Sequence, residues 1–178
     1  MKNVLILSGS PRAKGNSDLL CDEFLRGAQE AGHNVEKIRV ANKKIGFCRA
    51  CYFCRDNGGE CAFKDDMGEV LDKMLHADVI VMASPVYFYS IDAQMKALID
   101  RTVARWLDFD GKEFYYIMTA AEDSDTVMDT TLACFRGMAD CFKNSMERGV
   151  IYGKGVYEKG EIEGHPAMQD AYETGKGI

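Results

Sequence analysis

A chain of 178 residues with 22 Lys and Arg against 28 Asp and Glu carries a formal net charge of −6. Phosphate-backbone contacts need clustered cations, so this balance argues against a nucleic-acid partner, and no basic amphipathic stretch points to a membrane surface. Apolar content of 47% and charged content of 28% fit one soluble domain over residues 1–178, long enough to bury a proper core.

The opening apolar run stops at Ser8 and Gly9, too soon for a secretory h-region, and no run approaches a membrane span. A cytoplasmic location is therefore expected. Thiols stay reduced there, so seven cysteines point to metal, redox chemistry or packing before structural disulfides.

Apolar runs alternate with helical periodicity along the chain. Residues 3–8 (NVLILS) form a continuous apolar run, expected of a strand buried on both faces. Leu20, Phe24, Ala28 and Ala31 then recur at helical spacing, with Gly32 placed to end the helix. Residues 34–40 alternate as an edge strand does. Residues 65–77 read as a helix whose Asp65 and Asp66 cap its start. Residues 78–84 form a second buried strand. Residues 90–106 form a helix with Met95, Leu98, Ile99 and Val103 on one face. Residues 113–120 form the fourth strand, 124–142 a helix, 148–153 a fifth strand, and 165–176 a closing helix with Pro166 in its first turn.

This alternation predicts parallel βαβ units in an open, doubly wound five-stranded α/β sheet, since a barrel needs eight units. Ligands of such sheets sit beyond the carboxyl ends of the strands, at the switch point. That edge is expected to collect residues 8–17, the cysteine loop, residues 84–90 and residues 119–124.

The first of these, GSPRAKGNS, joins a strand to a helix with glycines, hydroxyls and an amide. Backbone N–H groups at a helix start attract anions, so the loop suits a phosphate; the same residues also cap a helix without any ligand. A triphosphate P-loop and the G-x-G-x-x-G fingerprint are both absent, leaving a terminal monophosphate. Pro85, Val86, Tyr87 and Phe88 place aromatic groups on the same edge, where they flank a flat ring or pack under the loop. The small residues Thr119, Ala120 and Ala121 let a ring approach the backbone.

Together, GSPRAKGNS, ASPVYF, the Gln94-Met-Lys and Ile99-Asp-Arg pair, and the terminal KGEIEG with its trailing Pro, Asp-Ala-Tyr and Gly-Lys resemble the flavodoxin-like family of NAD(P)H-dependent FMN reductases. The resemblance implies strand order 2-1-3-4-5, bound FMN and NAD(P)H as co-substrate. It further implies that Ser10, Arg12, Asn16 and Ser17 hold the phosphate, and that Pro85, Val86, Tyr87, Phe88, Thr119, Ala120 and Ala121 line the isoalloxazine. It also implies a homodimer or homotetramer in which partner residues cover the ring.

Cys48, Cys51, Cys54 and Cys61 stand close enough in sequence for iron–sulfur or zinc ligation. The run resembles that of the iron–sulfur flavoprotein branch of the same group, where it binds a [4Fe-4S] cluster. Free thiols or a labile disulfide are the other readings, while Cys21, Cys134 and Cys141 read as core. Three scattered histidines offer no catalytic constellation. The leading expectation is an FMN-dependent oxidoreductase passing hydride from NAD(P)H to a small acceptor such as a quinone or free flavin. The alternative is a one-electron carrier fed by ferredoxin. A receiver-like signalling module is a remote third reading, because the first and third strands end in Ser8 and Ser84 where a receiver needs carboxylates.

Overall fold

In strand β1 (Asn3–Ser8) every residue after the first is buried, as a strand covered on both faces requires. The computed structural model, which describes residues 1–178, places it second in a five-stranded parallel sheet. The others are β2 (Asn34–Arg39), β3 (Val79–Pro85), β4 (Glu113–Thr119) and β5 (Met146–Gly153), in the order β2-β1-β3-β4-β5. The expected fold class and strand order are both observed. β2 and β5 stand at the edges, and their partial exposure follows from that.

The period-two alternation of the central strands builds two cores. Val4 and Ile6 of β1, Val79 and Val81 of β3 and Ile117 of β4 face helices α1 (Asn16–Glu30) and α6 (Pro166–Lys176). Leu5 and Leu7, Ile80 and Met82, and Phe114 and Tyr116 face α3 (Met67–His76), α4 (Ala93–Arg101) and α5 (Asp129–Ala139). A single turn, α2 (Phe53–Asp56), interrupts the long connection between β2 and α3. Helix α1 meets α6 backbone to backbone. A Cβ on Gly27 would collide with the Tyr172 carbonyl, and one on Gly175 with the Phe24 carbonyl.

The chain crosses from one face of the sheet to the other between β2 and β3. The loops after β1 and β3 therefore diverge, and the switch point opens between Ser8 and Pro85. No helix is long and apolar enough to cross a membrane.

Several local expectations need correction. The helix read over 90–106 ends at Arg101 and continues as 3-10 turns, so Val103 is exposed rather than on the buried face. The helix read from 124 starts at Asp129, because residues 124–128 form turns. Cys141 is exposed rather than core, Cys134 is half-buried and packs against the core, and Cys21 is fully buried in it. Asp66 stands at the N-cap position of α3 but its side chain bonds no first-turn N–H, whereas Asp65 accepts from Met67 N at 3.2 Å. Asp66 accepts from the Lys44 N–H at 2.7 Å and Asp65 pairs with Arg101.

All three histidines are structural. His165 caps α6 through Ala167 N, His76 bonds the Asp72 carbonyl, and His33 lies between Lys2 N and the Ile178 carbonyl.

Candidate functional site

The loop after β1 is shaped by carboxylates beneath it. Gly9 sits directly over Asp92, and any Cβ there would run into the Asp92 carboxylate. Asp92 caps α4 by accepting from Met95 N at 2.9 Å and takes the Ser84 hydroxyl at 2.7 Å. Burial pushes its carboxyl above the usual range despite those donors. Asp18 receives the Ser8 hydroxyl, the Lys14 N–H and the Lys37 ammonium. Burial pushes its pKa up, but the three donors outweigh that and hold it below the ordinary value. The serines that made the receiver reading remote thus tie the strand ends to helices α1 and α4.

Above these supports, helix α1 begins without a cap. Gly15 is its N-cap residue, and no side chain bonds the first-turn N–H groups. Ser17 is 2% exposed, makes no hydrogen bond through its hydroxyl, and lines the cavity in front of the helix end. Ser10 lines it too, its hydroxyl accepting from Arg12 N at 3.3 Å. Arg12 adds positive charge, and no carboxylate lines the cavity. An uncapped helix start, a hydroxyl without a partner facing the cavity and an unopposed cation fit a phosphate monoester.

The other end of the same cavity is walled by Pro85, Val86 and Tyr87 after β3 and by Thr119, Ala120 and Ala121 after β4. Val86 N donates to the Thr119 carbonyl at 2.8 Å, which binds the two loops together. Phe88 is the one expected lining residue that the structure takes away. Tyr87 and Ser90 exchange backbone hydrogen bonds in a two-residue turn with Phe88 at φ 50° and Tyr89 at φ 60°. This hairpin geometry normally uses glycine or asparagine. It costs on the order of 1–3 kcal/mol per residue here, and it points Phe88 fully into solvent. Tyr89 reaches back to bond Glu122 at 2.7 Å.

Asn16 also departs from expectation. Its side chain does not face the cavity as a free donor: it donates to the Glu158 carbonyl at 2.9 Å and accepts from Gly160 N at 3.0 Å and Ile162 N at 3.3 Å. Arg12 Nη1 donates to the Tyr157 carbonyl at 3.2 Å. These bonds hold the β5–α6 loop against the site, where Val156, Tyr157 and Lys159 complete the cavity. Sequence reasoning assigned no site residue there. The available signal was an aromatic and a lysine between glycines, directly after a strand whose carboxyl end had to lie on the ligand edge.

Residues 2–132, well over half of the chain, match the family of NADPH-dependent FMN reductases. The chain belongs to that family. An iron–sulfur flavoprotein of Methanocaldococcus jannaschii is 43% identical over 99 residues, 56% of this chain and 51% of that protein. One of Archaeoglobus fulgidus is 43% identical over 101 residues, 57% of this chain and 45% of its own length. This FMN reductase family member thus spans about half the length of the curated relatives it matches. In fold it superposes on an NAD(P)H:quinone oxidoreductase of Methanothermobacter marburgensis with a TM-score of 0.77 and 17% identity, covering 98% of this chain and 94% of the other.

In this family member the four clustered cysteines line a cavity other than the one at the helix start. Cys48, Cys51, Cys54 and Cys61 share a space of about 720 Å³ with Trp106 and Cys141, and none of them borders the cavity of Ser17. The donor set suits a soft metal, but no three metal-ligating side chains converge as arranged. The residues therefore do not present a formed cluster site.

The base of that cysteine loop is clamped. Arg101, 2% exposed, donates to both oxygens of Asp65 at 2.8 and 2.9 Å and to the Gly46 carbonyl at 2.7 Å. Asp65 accepts from Gly46 N and Met67 N in turn. Burial pushes the Asp65 carboxyl up, but Arg101 and the two N–H groups outweigh it and hold it below the ordinary range.

Proposed function

We propose that this chain binds FMN and works as an oxidoreductase, taking hydride from NAD(P)H and delivering it to a small acceptor such as a quinone or free flavin. The observation that carries the reading is the unpartnered hydroxyl of the buried residue Ser17 before an uncapped helix start, at one end of a cavity whose other end is walled by two backbone-bonded loops. When bound, FMN supplies the hydride chemistry through its ring. The chain's residues bind and orient it. Ser10, Ser17 and Arg12 take the phosphate. Pro85, Val86 and Tyr87 with Thr119, Ala120 and Ala121 hold the ring. Asn16 acts one step back, by fixing the β5–α6 loop.

The test is flavin titration of the apoprotein followed by NADH and NADPH oxidation with a quinone. Ser17→Ala is expected to weaken FMN about tenfold, the scale of one hydrogen bond to a charged group, and to leave riboflavin, which has no phosphate, unchanged. Equal loss for both flavins would place Ser17 outside the phosphate site.

A second reading, an iron–sulfur flavoprotein that passes single electrons and takes them from a ferredoxin, has its own support. Four cysteines line one cavity, and relatives at 43% identity bear that name. Iron and acid-labile sulfide counted on protein purified without oxygen decide between the two. About four irons per chain, one per thiolate ligand, favour the second reading, and none favours the first.

A further inference from the structure

The β5–α6 loop lies outside the stretch that matches the family, residues 2–132, yet it forms one wall of the cavity. Four side-chain hydrogen bonds from the β1–α1 loop and the start of α1 hold it there. Asn16 makes three of them and Arg12 a fourth. Inside the loop, the Glu161 carboxylate accepts from Tyr157 N at 2.6 Å and Glu158 N at 2.8 Å, and Ile162 is fully buried in the core beneath. The loop thus presents a fixed backbone from which Lys159 borders the cavity. Lys159 has no ion pair within the chain, although most charged groups of this acidic protein do, and Arg12 also lacks a carboxylate partner.

Two unopposed cations, one from the loop before helix α1 and one from the β5–α6 loop, match the charge of a phosphate monoester dianion. We propose that Lys159 is a phosphate-binding residue that makes the site selective for FMN over unphosphorylated flavin, with Asn16 acting as the positioning residue that holds its loop. This deepens the FMN reading given above and rests on it.

The test is calorimetric titration of the full chain with FMN and with riboflavin at low salt. K159Q is expected to weaken FMN about fivefold, the upper end for an exposed ion pair, and to change riboflavin less than twofold. K159R should keep wild-type affinity. N16A should weaken FMN as much as K159Q does, and K159Q added to N16A should cost less than a further twofold, because the loop is then already released. Unchanged FMN affinity in K159Q would overturn the assignment. Parallel loss of both flavins would overturn it too, since that is the mark of a packing defect. Full additivity of N16A and K159Q would overturn the positioning role of Asn16. A wild-type chain that binds neither flavin would refute the FMN reading itself, and this inference with it.

Discussion

Asp65→Ala tests the clamp under the cysteine loop. The substitution removes both acceptors of a guanidinium that is 2% exposed and strips Gly46 N and Met67 N of their partner. Breaking a buried pair from one side costs about 3–5 kcal/mol because the remaining charge is uncompensated. The Asp65 side chain is 17% exposed, so water partly replaces it and the lower end, about 3 kcal/mol, applies. For a domain of this size that lowers Tm by roughly 6–12 °C.

Removing both charges, as D65A/R101M, should cost less than D65A alone, since no bare cation stays behind. The pH dependence has a fixed sign. The carboxyl pKa is held down in the folded state, so its stabilisation is fully present above the unfolded value near 4 and fades as pH falls through the folded value. The gap between wild type and D65A should be flat at neutral pH and shrink below about pH 4. Urea and thermal unfolding of the three proteins between pH 3 and 7 measure all of this. A D65A loss under 1 kcal/mol, or a double variant worse than the single, would refute the reasoning.

Other perturbations have equally definite outcomes. The Tyr116 hydroxyl is buried without a partner, so Tyr116→Phe should leave stability unchanged or raise it by up to about 1 kcal/mol, read by urea denaturation. Gly175→Ala forces a methyl onto the Phe24 carbonyl and should cost on the order of 2–3 kcal/mol, also by urea; a neutral result would mean α1 and α6 do not pack as described. In the native protein a thiol reagent should label the exposed Cys48, Cys51 and Cys141 rapidly, whereas Cys21, whose pKa burial pushes up to about 12, should label only on unfolding. Replacing Phe88 by Gly should relieve left-handed strain and stabilise the chain by about 1 kcal/mol in thermal unfolding.

The strands and their order were readable because central parallel strands are apolar on both faces, and that pattern needs no long-range information. The same rule, that ligands gather at carboxyl strand ends, correctly grouped the loops after β1, β3 and β4. It applies equally to the loop after β5, where the KGEIEG stretch that begins at Lys159 carried part of the family resemblance but neither Tyr157 nor Lys159 was assigned to the site. Phe88 lies apart from the other lining residues for a different reason. A run of neighbours in sequence does not share a direction when a tight turn reverses it. The pairing of Asp65 with Arg101 was missed because Arg101 lies 36 positions away, and the helix start offers Asp65 a local role, accepting from Met67 N, that looks sufficient. The cysteine loop was expected on the same carboxyl edge as the other loops; which cavity it lines was not legible, and its four cysteines line one separate from that of Ser17.

The glycine contact between α1 and α6 has a consequence for how the molecule comes into being on the ribosome. Helix α1 emerges early, but the surface it must cover is completed by residues 166–176, which follow at 5–20 residues per second, so on the order of ten seconds later. Until then the apolar side of α1 has no full partner, and the anion-attracting end at Gly15 lacks both a rigid helix and the β5–α6 loop that encloses it. A nascent chain can therefore assemble its central strands well before it can hold a phosphate. On the reading proposed above, cofactor capture is a late event, and a chain that stalls short of α6 leaves the apolar side of α1 exposed.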